Sequence, residues 1–341
     1  MKPLSHLKPL AWSSVIVVSS LLSACGSESG GDNAVDKKES WKINYQEVTL
    51  VGNNPDVCTP VSSEVNWDAL LEANCHNLSD YNLFLDPKDP TSNPQAPGLP
   101  YKLNTQLFTD YSSKYRFIFV PPTKTATYSD HEVMNFPVGS VLVKTFTVPQ
   151  DTADRDGTEH IMETRLLIHR TGGWEAVPYY WSSETNAQYL NYGASIPATT
   201  THKGETIAFN YGVPTKNDCT NCHAINPDRE GQGPDDNRVS IFKPIGPKAR
   251  FLNWDYDYGS GEVKNQLIKW EQAGILSGAP MDKSTIDTAA NFDDNVDISS
   301  LNSDELNLAA RSYLDINCAH CHRSNLTLEE PNYSGPAGDS G

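Results

Sequence analysis

The chain has 341 residues, 38% of them hydrophobic, and a formal charge of −17 from 43 acidic and 26 basic residues. That length accommodates two modest domains and the composition is that of an ordinary soluble globule, which excludes a membrane-spanning chain. The acidity argues against a nucleic-acid ligand and for basic partners.

Residues 1–24 read as a leader: Lys2 and Lys8 charge its start, an apolar run from Ala11 to Leu22 follows, and Ser23-Ala24 are small residues ahead of Cys25. The run is too short to cross a bilayer. Leu22-Ser23-Ala24-Cys25 is similar to a bacterial lipobox, so Cys25 is the expected lipidation site; the plain alternative is a lone structural cysteine. Acyl chains contribute about 0.8 kcal/mol per buried CH2, and more than one gives lasting anchorage. Gly26 in place of Asp resembles outer-membrane sorting, with the protein facing the periplasm or the cell surface. Residues 25–45 are small, polar and charged, the composition of a flexible tether.

Residues 46–205 are expected to form a β-rich domain. Cys58 and Cys75 flank Trp67-Asp68-Ala69-Leu70-Leu71, enough for one short helix. An exported chain makes a Cys58–Cys75 disulfide the expected state, with two free thiols as the alternative. Arg116–Val120, Ser140–Val148 and Met162–His169 are β-branched and aromatic runs punctuated by Pro and Gly, which predicts a small antiparallel sandwich. Period two places Met162, Leu166 and Ile168 on one face as core, and His169 with Arg165 on a solvated face. The loop Thr152–Gly157 with Glu163 superficially resembles a calcium site. It lacks the acidic first position and lies between two strands, so a hairpin connection is expected.

Residues 206–302 contain Cys219-Thr220-Asn221-Cys222-His223, and residues 303–341 contain Cys318-Ala319-His320-Cys321-His322. Both are Cys-x-x-Cys-His, the attachment signature of haem c. Two thiols one helical turn apart share a face and can add to the two vinyl groups along one porphyrin edge, with the neighbouring imidazole under the iron. With 7 Cys and 9 His in 341 residues, chance supplies ~0.004 such motifs per chain, so two are not coincidental. A single zinc site is the competing reading of the four thiols, but the 95 residues between Cys222 and Cys318 do not fit zinc-ribbon spacing. Val263, Leu267 and Trp270 at helical spacing, stopped at Gly274, predict one helix. Ser303 as N-cap, with the stripe Leu306, Ala309, Ala310, Tyr313 and Leu314, predicts another running into the second motif. The fold expected is α+β: a sandwich-like β domain followed by α-helical, cytochrome c-like haem domains, the second incomplete.

Phe136–Phe146, Glu163–His169, Ile245–Arg250 and Ala310–His322 together resemble a proteobacterial family of dihaem c-type cytochromes, over residues 65–335. The resemblance implies two covalent haems, thioethers at Cys219, Cys222, Cys318 and Cys321, and His223 and His322 as proximal ligands. It brings no substrate. Comparison with class I cytochromes makes Met281, 58 residues after His223 in Gly278-Ala279-Pro280-Met281, the expected distal ligand of the first haem, with His202 next. Such domains carry several dozen residues beyond the motif, whereas 19 follow His322, so the chain is expected to be truncated relative to the family and its second haem exposed. Electron transfer with redox partner proteins is the expected function. The alternatives are a dihaem peroxidase-like enzyme using His131, His160 or His202, the cytochrome subunit of an outer-membrane oxidoreductase, or a haem-based sensor.

Overall fold

Long runs of β-branched and aromatic residues, alternating between two covered faces, build the centre of the fold. The structure, a computed structural model, describes residues 54–183, 186–225, 241–292 and 296–322. Cys25, the leader and the tether lie outside these described residues.

In chain order the strands are Leu99–Pro100 (β1), Ser113–Phe119 (β2), Ala126–Thr127 (β3), Val141–Asp151 (β4), Asp154–Arg170 (β5), Gly173–Ser183 (β6), Asn186–Tyr189 (β7), Ala194–His202 (β8) and Glu205–Val213 (β9). All but β3 belong to one sheet with the antiparallel order β1-β2-β4-β5-β6-β7. The β8–β9 hairpin joins it through the single parallel pairing of Asp151 with Thr201, while β3 pairs in parallel with Leu276–Ser277. Between β4 and β5 the chain turns at Thr152-Ala153, the hairpin connection expected in place of a calcium loop.

One face of the sheet carries Phe117, Phe119, Val143, Leu166, Ile168, Val177, Tyr179 and Trp181, all buried. It is covered by the N-terminal segment, whose helices Pro55–Cys58 (α1) and Trp67–Glu72 (α2) start on the side-chain caps Asn54 and Asn66. A disulfide joins Cys58 to Cys75 across this segment, with Cα atoms 5.5 Å apart. The Tyr179 hydroxyl donates to the Cys75 carbonyl at 2.7 Å, and the Cys75 amide donates to the Tyr81 hydroxyl at 2.8 Å, so the segment is fastened to the sheet by satisfied buried groups.

The opposite face carries Ile118, Leu142, Leu167 and Trp174 at one end, where they pack with Phe251, Leu252, Leu267, Trp270 and Ile316. Those residues come from three helices: Ala249–Leu252 (α4), Gln266–Gln272 (α5) and Ser303–Asn317 (α6), numbered after Lys216–His223 (α3). Each fully buried Leu, Ile or Phe contributes about 1.5–3 kcal/mol. At the other end Phe146, Val148, Met162 and Tyr180 pack under the β8–β9 hairpin with Ile196 and Tyr211.

The α+β expectation fails here. The described residues after Val213 build no cytochrome c-like helical domain; α4, α5 and α6 lay their apolar residues on the same sheet, and that sheet is the dominant architecture. A sandwich is not formed either, because helices and turns, not a second sheet, cover much of both faces. The sequence misled because an amphipathic helix before Cys-x-x-Cys-His has the same pattern whether it opens a domain of its own or packs on a neighbouring sheet.

Three local expectations also change. A register shift between Phe146 and Thr147 moves Met162 to the opposite face from Leu166 and Ile168, although it remains core. His169 is only partly exposed: its ring stacks on Trp174 at 4.7 Å and its Nδ1 lies 2.8 Å from the Phe136 carbonyl oxygen. Val263 belongs to a short strand, Val263–Asn265, and is exposed, so α5 starts later, on the side chain of Asn265. Gly274 does follow this helix with φ +73°, where a residue without Cβ is unstrained.

Candidate functional site

The strand β9 delivers the chain to Thr215, which caps α3 in a reciprocal pair. Its hydroxyl accepts from the Asp218 amide at 3.1 Å while the Asp218 carboxylate accepts from the Thr215 amide at 2.9 Å. Cys219, Cys222 and His223 then follow at i, i+3 and i+4, so all three project from one side of the helix. Cys219 is buried and Cys222 exposed. Burial pushes the Cys219 thiol up, against the opposing pull of Arg165.

His223 is held on two sides. Its Nδ1 lies 2.7 Å from the Lys243 carbonyl oxygen, and its ring stacks on Phe242 at 4.9 Å and 12°. A carbonyl only accepts, so the proton sits on Nδ1 and the Nε2 lone pair is left free. Desolvation, reinforced by the charges of Lys144 and Arg165, pushes the imidazole down to about 4, so it is neutral at physiological pH. A neutral imidazole whose outer nitrogen is tied to a backbone carbonyl is the form that ligates iron.

Cys219, Cys222 and His223 open into a cleft of about 270 Å³ on the second face of the sheet. Leu103, Leu142 and Ile245 line it, together with Gly212 and Pro214 at the end of β9. Arg116, Lys144 and Arg165 line it as well. The chemistry of this donor set fits a covalently held haem. Sequence reading missed Arg116 and Lys144 and put Arg165 on a solvated face, though each stands inside an apolar strand run: Arg116 before Phe-Ile-Phe, Lys144 after Val-Leu-Val, and Arg165 before Leu-Leu-Ile.

The second motif follows α6, whose N-cap is Asn302 and not Ser303; Asn302 and Glu305 form the capping box. The buried side of this helix is Ala309, Ser312, Asp315 and Ile316, whereas Leu306 and Ala310 of the expected stripe are exposed. Polar anchors explain the rotation. Asp315 receives Lys248 Nζ at 2.7 Å and pairs with Arg250, and the Ser312 hydroxyl accepts from the Ala290 amide at 2.9 Å. The motif itself continues as a turn, with the His322 amide donating to the Cys318 carbonyl at 2.9 Å. Cys318 is half-buried, His320 buried, and Cys321 and His322 exposed. His320 is therefore enclosed by the protein, while Cys321 and His322 face outward and Cys318 lies between.

Other expected residues are not brought to the cleft. Met281 is fully exposed in the turn before Lys283 and lies outside the lining, so the structure does not place it over His223. His202 is tied through Nδ1 to the Thr152 hydroxyl at 2.9 Å, and His131 pairs with Asp130 at 3.5 Å. Neither His131, His160 nor His202 lines the cleft. The two motifs do not converge on a shared zinc: among the described residues no three His, Cys, Asp or Glu side chains form a metal-sized cluster. Comparison with protein-family models, curated protein sequences and solved structures finds no match to this chain.

Proposed function

We propose that this chain is an exported dihaem c-type cytochrome lipoprotein, related to the proteobacterial family that its motifs resemble, and that it transfers electrons between redox partner proteins at the outer membrane. The observation that carries the reading is His223: Lys243 and Phe242 fix its ring with Nε2 free, directly after two thiols on the same side of α3. When bound, haem c supplies a one-electron Fe(III)/Fe(II) couple whose potential follows its ligands and burial. The protein's part is to hold the thiols at one helical turn, keep His223 neutral, and wall the cleft with Leu103, Leu142 and Ile245. Cys318, Cys321 and His322 offer the same donor set at the end of α6. Cys25 would anchor the chain by its lipid.

One observation favours a catalytic or ligand-binding first haem instead. Among the described residues, no methionine and no histidine besides His223 lines the cleft. The spin state of each iron in the oxidised, haem-loaded protein separates the two. Two low-spin signals by electron paramagnetic resonance are the outcome for electron transfer, and a high-spin first haem that binds cyanide or carbon monoxide would replace that reading with the catalytic one.

A further inference from the structure

Arg116, Lys144 and Arg165 stand directly opposite one another on three adjacent strands, Arg116 paired with Lys144 and Lys144 with Arg165. Like charges in direct cross-strand register repel, and here they do so in a desolvated cleft. The row is short of partners. Arg116 is only 4% exposed; its Nη1 reaches Gln106 Oε1 at 3.5 Å and its Nη2 has no hydrogen-bond partner. Lys144 Nζ lies over the Phe146 ring at 4.6 Å, and among the described residues it makes no ion pair, although the charge of Glu163 still acts on it. Arg165 pairs with Glu163, itself fully buried and held by the Tyr211 hydroxyl at 2.6 Å, yet Arg165 Nε is unbonded. Lys114, further along β2 on the same face, donates to the Leu107 carbonyl. Asp218, the acidic residue lining the cleft, is committed to Thr215. Among the described residues, Arg116 and Lys144 thus form no ion pair, and both line the cleft that Cys219, Cys222 and His223 also line.

We infer that Arg116 and Lys144, with Arg165 at the end of the row, bind the two propionate carboxylates of the haem attached at Cys219 and Cys222. This rests on the haem reading above and adds which side chains hold the charged edge. Two cations without an ion pair match two carboxylates in number. The propionates leave the porphyrin at the edge away from the vinyl groups that the thiols capture, so Arg116, two strands removed from the Arg165 whose charge reaches Cys219, stands at that far edge. Neighbouring strands are about 4.8 Å apart, so the row spans ~10 Å, comparable to one porphyrin edge. A guanidinium presents a planar fork to one carboxylate, and an ammonium a point charge to the other. Burial and the neighbouring cations hold Lys144 well below its ordinary value, the condition a bound anion would relieve.

The test uses the full chain matured with haem, first confirmed by the mass of the peptide containing Cys219 to His223. In Arg116→Gln and Lys144→Gln proteins, resonance Raman should show the propionate bending band of one haem shifted to lower frequency, while Arg116→Lys largely preserves it. The midpoint potential of that haem, flat with pH in the parent between pH 5 and 8, should fall and become pH-dependent in the Gln variants as an unpaired propionate takes up a proton on reduction. If one Gln variant does not fold, the other decides. Haem present at the first motif with an unchanged band and an unchanged potential profile would overturn this inference alone. A parent peptide without haem would overturn the functional reading and this inference with it.

Discussion

Replacing Asp315 by Asn removes the buried carboxylate that Lys248 and Arg250 share, with almost no change of shape. Lys248 Nζ donates to Asp315 at 2.7 Å from a side chain only 4% exposed, and the Asp315 side chain is 3% exposed. Arg250 keeps its bond to the His131 carbonyl at 2.8 Å, so Lys248 takes most of the loss. Removing one partner of a buried pair costs about 3–5 kcal/mol. The ceiling is about 5 kcal/mol, since at that point Lys248 would simply deprotonate at pH 7. Urea unfolding of the whole chain should therefore show a lower midpoint at unchanged slope, by that amount. The sign with pH also follows. Burial pushes Lys248 below its ordinary value while Asp315 holds it up, so without Asp315 it falls further. The unfolded chain then binds a proton that the folded chain has given up, and stability rises with pH between the folded and unfolded pKa. Asp315→Asn should recover stability from pH 7 to pH 9, and Asp315→Leu with Lys248→Met should recover most of it at pH 7. A loss under 1 kcal/mol, or a double variant no better than Asp315→Asn, would refute the reasoning.

Glu175 ties Lys216 at the start of α3 to Arg170 on β5; burial raises its carboxyl, but the bond from Lys216 and the charge of Arg170 outweigh this and leave it below the usual range. Its stabilisation is present above the unfolded glutamate pKa and lost as pH falls through the folded one. Glu175→Gln should cost about 1 kcal/mol at pH 7 in thermal melts and much less at pH 3.5, and a gap independent of pH would contradict the assignment. Met281→Ala should leave the visible spectrum and both potentials of the haem-loaded protein unchanged, because the side chain is fully exposed outside the cleft; loss of a low-spin signal would show that it ligates iron after all. Cys58→Ser with Cys75→Ser opens a loop closed over a separation of 17 residues and should cost about 3 kcal/mol by urea unfolding. A loss below 1 kcal/mol would count against it.

The parts of this molecule legible in its sequence are those encoded locally. The runs around Arg116, Lys144 and Arg165 read as strands because their branched and aromatic residues alternate, and α5 reads as a helix through Leu267 and Trp270 with a stop at Gly274. The two Cys-x-x-Cys-His motifs are legible because each occupies five consecutive positions. What depends on long-range packing was not. Which face of α6 turns inward is decided by Asp315 meeting Lys248 and Arg250 from a segment more than sixty positions away, and this overrides the apolar stripe through Leu306 and Ala310. The reading of Met281 rested on spacing and a neighbouring proline, neither of which fixes where an exposed turn points. Arg116, Lys144 and Arg165 become one site only when the register of β2, β4 and β5 is known.

Whether both motifs carry haem is decided by one measurement on the full chain expressed with c-type maturation machinery: a pyridine haemochrome assay combined with peptide mass. The account predicts two haems per chain, one on the peptide containing Cys219 and Cys222 and one on that containing Cys318 and Cys321. Unmodified thiols on both peptides, or zinc in place of haem, would contradict it.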